Sequence, residues 1–103
     1  MTIRDARPGA ALTRCFSRKV GAWFEEEGRR QVSDPAYLRQ MNMAVALAAS
    51  KWNEFAEGDD AIPRMRDWLE EVERRAEIRN ATARAEAIER VRDWFEACSE
   101  QSA

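Results

Sequence analysis

The sequence contains no histidine, and its 103 residues include only two cysteines and four glycines, none of them adjacent. The absence of histidine removes the commonest general base, the Ser/His and Cys/His nucleophile pairs, and a leading metal ligand. Isolated glycines do not build a glycine-rich phosphate-binding loop. Two distant cysteines do not make a zinc site or a redox motif. We therefore expect a protein that is not an enzyme and that uses no metal or cofactor.

Long hydrophobic runs are also missing. The longest, at 43–49, has seven residues, whereas a membrane-spanning helix needs about 20. The N-terminal segment contains arginine and lacks the apolar stretch of a signal peptide, so we expect a cytoplasmic protein without membrane contact. In that compartment we interpret Cys15 and Cys98 as small, reduced apolar residues rather than as a disulfide.

The composition is that of one charged, globular domain. Hydrophobic residues make up 45% and charged residues 35% of the chain, and the mean hydropathy is −0.68. This length and apolar content suit a single core. We expect one helical domain over residues 1–103, with a mobile leader at 1–9, where Pro8 and Gly9 interrupt regular structure.

Helix signals occur four times along the chain. A weak apolar stripe from Leu12 to Phe24 predicts a first helix that ends near Gly28. Asp34 and Pro35 predict the start of a second, which ends before Gly58 in a left-handed conformation. A third is predicted from Pro63, and a phase change near Ala81 starts a fourth. The apolar positions of the last two are Met65, Trp68, Leu69, Val72 and Ala76, then Ile78, Ala81, Ala85, Ile88, Val91 and Phe95. The predicted fold class is an all-α bundle of about four helices with a C-terminal antiparallel hairpin.

A short repeat supports the hairpin. The residues of 66–70, Arg-Asp-Trp-Leu-Glu, recur at 92–96 with Phe for Leu. If the chain reverses at Ala81, Trp68 and Trp94 lie level with each other, and their rings share one core layer. Chance recurrence in an Arg-, Asp- and Glu-rich sequence is the alternative.

The charged residues favour neither catalysis nor autonomous DNA binding. Acidic runs such as 25–27 and 70–73 are interleaved with arginine, and pairs such as Glu70–Arg74 and Glu71–Arg75 are typical of solvated helix faces. The loop at 57–60 lacks the ligand spacing of a calcium-binding loop. Residues 1–24 carry five basic side chains against one acidic, but the sequence pI near 5.3 makes nucleic acid an improbable partner.

The segment 41–49 is the most informative, because Asn42 is its single polar residue. An inward stripe from Tyr37 to Phe55 leaves Met43 and Leu47 on another flank, with alanines that let a second backbone approach closely. Methionine suits adaptable contacts with a partner. We expect a protein-binding or homodimer face here, with Met41, Met43, Leu47 and Phe55 as candidate residues. A fully buried central helix is the alternative.

A resemblance to a known family extends over the whole chain. It rests on the size, on the Arg-, Ala- and Glu-rich composition without histidine, and on the apolar helix followed by Lys51-Trp52-Asn53-Glu54-Phe55. The protein resembles the QslA-like antiactivators of pseudomonads, small helical proteins that bind LasR-type quorum-sensing regulators. The resemblance implies a non-enzymatic inhibitor that sequesters a LuxR-type transcription regulator and blocks its dimerisation and DNA binding. A small helical DNA-binding protein, or another adaptor such as a phage inhibitor, secretion chaperone or antitoxin, is the alternative.

Overall fold

The computed structural model describes residues 10–102, which form four helices and no strand. The helices are α1 (Ala10–Glu25), α2 (Pro35–Phe55), α3 (Ala61–Ile78) and α4 (Thr82–Ser102), and a 3₁₀ turn at Glu27–Arg29 follows α1. The predicted all-α class and helix count are confirmed. The expected leader at 1–9 lies outside the described residues.

The start of α2 follows the predicted capping chemistry. The Asp34 carboxylate accepts a hydrogen bond from the Tyr37 amide at 3.1 Å, and Pro35 occupies the first turn, where its missing N–H is no loss.

The prediction that Gly58 ends α2 in a left-handed conformation is wrong, because no described glycine has a positive φ. Asp60 takes the left-handed conformation instead, with φ 58°, so α3 begins at Ala61, two residues before the predicted Pro63.

The predicted reversal between α3 and α4 is confirmed and has a local cause. Asn80 is left-handed, with φ 56°, and asparagine tolerates this conformation better than most residues. The Ala81 amide donates to the Ala76 carbonyl at 2.8 Å, and the Asn80 amide donates to the Glu77 carbonyl at 3.1 Å. These two bonds form a Schellman motif, which satisfies the last carbonyls of α3 and turns the chain.

Helices α2 and α4 form the centre of the bundle, because each of them contacts all of the other helices, whereas α1 and α3 do not contact each other within residues 10–102. Phe95 is fully buried, and its ring meets Phe16 of α1 at 5.8 Å and Trp52 of α2 at 5.1 Å between centroids. The predicted α4 stripe is right at Ile88, Val91 and Phe95 and wrong at Ile78, whose side chain is 69% exposed. Ile78 is the last residue of α3, so it does not share the face of α4.

The two repeat tryptophans do not share a core layer, although the hairpin brings them level. Arg66 and Glu96, which flank them in the repeat, form an ion pair across the hairpin. The ring of Trp94 packs on Trp23 of α1, with centroids 5.9 Å apart, whereas Trp68 lines a groove with Leu47 of α2. The prediction of a shared layer is wrong because the ring of Trp94 packs on α1, whereas Trp68 lies in the groove beside α2.

The interpretation of the cysteines as a reduced pair is also wrong. Cys15 and Cys98 are joined by a disulfide with their Cα atoms 5.6 Å apart, across 83 positions of sequence. Both side chains are buried. The antiparallel packing of α1 on α4 brings the start of one helix to the end of the other, which sequence separation does not reveal.

Candidate functional site

The four candidate binding residues divide into two pairs. Met43 and Leu47 are 68% and 44% exposed, whereas Met41 and Phe55 are 4% and 8% exposed and belong to the core. Steps of three and four residues from Met41 keep returning to the buried face of α2, while Met43 and Leu47 lie on a flank of it. Met41 and Phe55 are therefore corrected from binding candidates to core residues.

The exposed flank of α2 forms a continuous row. Met43, Ala46, Leu47 and Ser50 are all exposed, and their spacing places them on one face of the helix. We call these four residues the α2 strip. Its two large side chains are apolar and its two small ones leave the backbone accessible, a combination that permits close approach by another chain. The alternative of a fully buried central helix is thereby wrong.

Leu47 also belongs to an open groove of about 220 Å³ formed by α2, α3 and the α3–α4 turn. We call it the α2–α3 groove. Among its neighbours, Ala76 is buried, and Trp68 and Val72 are half-buried. The apolar part of its lining comprises Leu47, Trp68, Val72, Ala76 and Ala81. The α2 strip therefore continues into an apolar groove.

The charged part of the groove lining is entirely basic and consists of Lys51, Arg75, Arg79 and Arg84. Lys51 is paired with Glu54 at 3.4 Å, and Arg75 with Glu71 at 2.8 Å. Within residues 10–102, Arg79 and Arg84 form no ion pair. As far as the described residues go, the groove therefore presents two arginines without acidic partners beside an apolar surface.

This basic groove was missed by the sequence reasoning, which treated the arginines as members of solvated helix pairs. Arg79 closes α3 and Arg84 stands in the first turn of α4, so the Schellman turn brings the two ends together. A recognisable signal was the asparagine between them, since a left-handed Asn80 would have placed both arginines at the same end of the hairpin.

The predicted ion pairs on α3 are only partly confirmed. Glu71 pairs with Arg75 as expected, but Arg74 also bonds Glu71, at 2.7 Å, rather than Glu70. Hydrogen bonds from Arg74 are the main cause of the lowered pKa of Glu71. The carboxylate of Glu71 is therefore a charged group in a surface ion pair.

Asn42, the single polar residue of the apolar segment, has a structural task. Its Oδ1 accepts from Trp23 Nε1 at 2.8 Å, and its Nδ2 donates to the Gly28 carbonyl at 3.1 Å. A Cβ at position 28 would lie 2.7 Å from Asn42 Oδ1. Asn42 of α2 therefore links the 3₁₀ turn and α1 by hydrogen bonds, and position 28 has room for glycine only.

A second depression lies near the start of α2 and is lined by residues of both charges. Trp23 and Met41 form part of it, beside Glu27, Glu86 and Arg90. Burial raises the pKa of Tyr37 in its wall, and Glu86 and Asp34 raise it further, so the phenol stays neutral. Its mixed charges point to no particular ligand.

The part of the chain that the structure describes holds no group of three or more side chains suited to a metal ion. Across residues 10–102, no helix combines the length and apolar character required to cross a membrane. No protein-family model, curated protein or solved structure matches this chain.

Proposed function

We propose that this chain is a non-enzymatic protein-binding inhibitor that acts through the α2 strip, and that its target is a LuxR-type quorum-sensing regulator. One observation carries the binding proposal. Met43 and Leu47 are 68% and 44% exposed on a helix whose opposite face is packed into the core. Large apolar side chains placed together in solvent are typical of surfaces that another protein covers.

The proposed mechanism is competition for a dimer interface. Homodimer interfaces are more apolar than the rest of a protein surface, and a helix with an apolar face can occupy a groove in one of them. The flexible side chain of Met43 adapts to the contour of its partner. A regulator bound in this way loses its own dimer contacts and, with them, its DNA binding. The resemblance to the QslA-like family supplies the target class.

A binding experiment with a purified LuxR-type ligand-binding domain tests this proposal. We expect a stoichiometric complex by size-exclusion chromatography with light scattering, in which the regulator is no longer a dimer. Met43→Asp and Leu47→Asp abolish the complex, because a carboxylate in a buried apolar interface lacks a partner. Val32→Asp is the matched control, since Val32 is also exposed and apolar but lies outside α2.

Circular dichroism separates loss of binding from loss of fold. Each variant is expected to retain the helical signal of the wild type, because both positions are exposed. Absence of any complex with the wild type, or a complex indifferent to both substitutions, would refute the proposed target or the proposed surface respectively.

The same strip supports self-association in the free protein, and we include a homodimer in the proposal. Two copies of α2 packed through Ala46 and Leu47 would cover each other's apolar side chains until a partner displaces one copy. Light scattering over a range of concentrations tests this, with Leu47→Asp expected to remain monomeric.

We place the protein in the cytoplasm with its regulator. Disulfides are rare in that compartment, but the Cys15–Cys98 bond is buried and so is shielded from reductants. Alkylation under denaturing conditions immediately after lysis, without reductant, followed by mass spectrometry tests whether the bond persists in cells, and the expected result is that neither cysteine is modified.

A further inference from the structure

We propose that the α2–α3 groove binds an acidic amphipathic helix presented by a partner protein. Apolar side chains of that helix would pack on Leu47 and Trp68, and its carboxylates would face Arg79 and Arg84. The inference rests on the proposed protein-binding function, and it adds the chemistry of the segment that is bound.

The shape of the site fits a helix. The groove lies between α2 and α3, which pack on each other, and Leu47 makes it continuous with the α2 strip. An amphipathic helix laid in such a groove buries one apolar row. Trp68, half-buried in the wall, offers a large and rigid surface, and tryptophan and arginine are the residues that most often dominate binding energy.

The positive charge of the groove favours acidic partner helices over basic ones. The lining contains four basic side chains and no carboxylate, although acidic residues outnumber basic ones in the whole chain by 19 to 17. Basic helices would be repelled, and acidic ones would gain ion pairs at the edge of the interface. Arg79 and Arg84 are the principal donors, since Lys51 and Arg75 already have acidic partners.

The same charges would also attract a nucleic-acid backbone, but two observations favour a protein. Phosphates make no use of the apolar lining around Val72 and Ala76. The net charge of the whole chain is −2, which opposes the approach of a long polyanion.

A pair of synthetic peptides tests the proposal with the full chain. The probe has about 16 residues, enough for a marginal helix, with leucine on one face and glutamate on the flanks. Its counterpart carries lysine at every glutamate position. We expect the acidic peptide to bind at least about tenfold more tightly than the basic one, by fluorescence anisotropy, and its affinity to fall as salt is raised.

Tryptophan emission locates the binding. The acidic peptide is expected to shift the emission of the wild type, because it covers Trp68. Trp68→Phe removes the shift. Trp94→Phe keeps it, since Trp94 is half-buried against Trp23 on α1.

Charge reversal tests the role of the arginines. Arg84→Glu is expected to weaken binding of the acidic peptide about tenfold. Arg84 lies in the first turn of α4, where a carboxylate suits the helix dipole and the fold is preserved. Arg14→Glu, at an exposed position of α1, is the matched control and leaves binding unchanged. The double variant Arg79→Glu with Arg84→Glu is expected to prefer the basic peptide.

Four outcomes would overturn the inference. The first two are equal binding of both peptides and no binding of either. The third is displacement of the acidic peptide by an oligonucleotide whose own binding is lost in Arg84→Glu. The fourth is a wild-type dimer that the Arg84→Glu substitution dissociates. The last two would identify a nucleic acid and a second copy, respectively, as the occupant of the groove.

The experiments distinguish this inference from the proposed function. A regulator complex that is lost in Leu47→Asp but unchanged in Arg84→Glu would overturn the inference and support the function. Selective binding of the acidic peptide without any regulator complex would support the inference and overturn the proposed target.

Discussion

Arg66 and Glu96 face each other across the α3–α4 hairpin in a two-point ion pair. Arg66 Nε donates to Oε2 and Nη2 donates to Oε1 of Glu96, each at 2.8 Å. The two residues come from the two copies of the repeated five-residue segment, and they are equally far from Ala81 along the chain. The two copies of the repeated segment therefore lie opposite each other in the antiparallel hairpin, and their positions reflect its register.

This ion pair predicts a small stability change that depends on pH. Hydrogen bonding from Arg66 lowers the pKa of Glu96, so the contribution is present above the unfolded pKa of about 4.3 and disappears as pH falls through the lower folded value. Both side chains are about half exposed, which limits the effect to roughly 0.5 kcal/mol. Glu96→Gln should lower the unfolding free energy by this amount at neutral pH in urea titrations.

The control for this prediction is Glu77→Gln on the same hairpin, because Glu77 is exposed and its side chain forms no ion pair within residues 10–102. The stability of this variant should match that of the wild type at neutral pH and in acid below the folded pKa of Glu96. An effect of Glu96→Gln that persists in acid would show that lost packing, not charge, is responsible.

A double-mutant cycle on the tryptophans distinguishes the two possible partners of Trp94. Trp23 and Trp94 are in ring contact, so replacing both with leucine should give a coupling of about 0.5 kcal/mol or more. The same cycle on Trp68 and Trp94 should be additive. Coupling between Trp68 and Trp94 instead would contradict the packing of the two indoles on different helices.

Removal of the Cys15–Cys98 disulfide should destabilise the fold without abolishing it. The bond closes most of the chain into one loop, and its loss costs on the order of 2–4 kcal/mol, chiefly by freeing the unfolded chain. Cys15→Ala with Cys98→Ala should retain its helical circular dichroism and show a lower Tm. A reductant should lower the Tm of the wild type only, because heating opens the fold and exposes the buried bond. Equal Tm values for the wild type and the double variant would refute the contribution of the bond.

Two glycine substitutions should have opposite effects. Gly28→Ala puts a Cβ against Asn42 Oδ1 and 3.3 Å from Trp23 Nε1, so it disrupts a half-buried hydrogen-bonded contact at a cost of about 1–3 kcal/mol. Gly21→Ala, inside α1 with open space at the Cβ position, should stabilise by about 0.5–1 kcal/mol. Urea unfolding measures both, and a neutral Gly28→Ala would show that the 3₁₀ turn shifts freely.

Local signals in the sequence determined the helices. Asp34 and Pro35 start α2 by chemistry that acts within four residues, and the apolar spacing from Met41 to Phe55 marks the core face of that helix. The same spacing isolated Met43 and Leu47 on the flank that the structure exposes. Each of these inferences depends on geometry within one helix, which has a fixed period.

Contacts between helices were decided only by the tertiary structure. Three features depend on how α1 and α2 pack around the hairpin. These are the disulfide, the separate surroundings of Trp68 and Trp94, and the position of Leu47 beside the turn that carries Arg79 and Arg84. Amphipathic spacing states which face is buried but not which neighbour covers it. That choice follows from the close packing of all four helices at once, and no short stretch of sequence contains it.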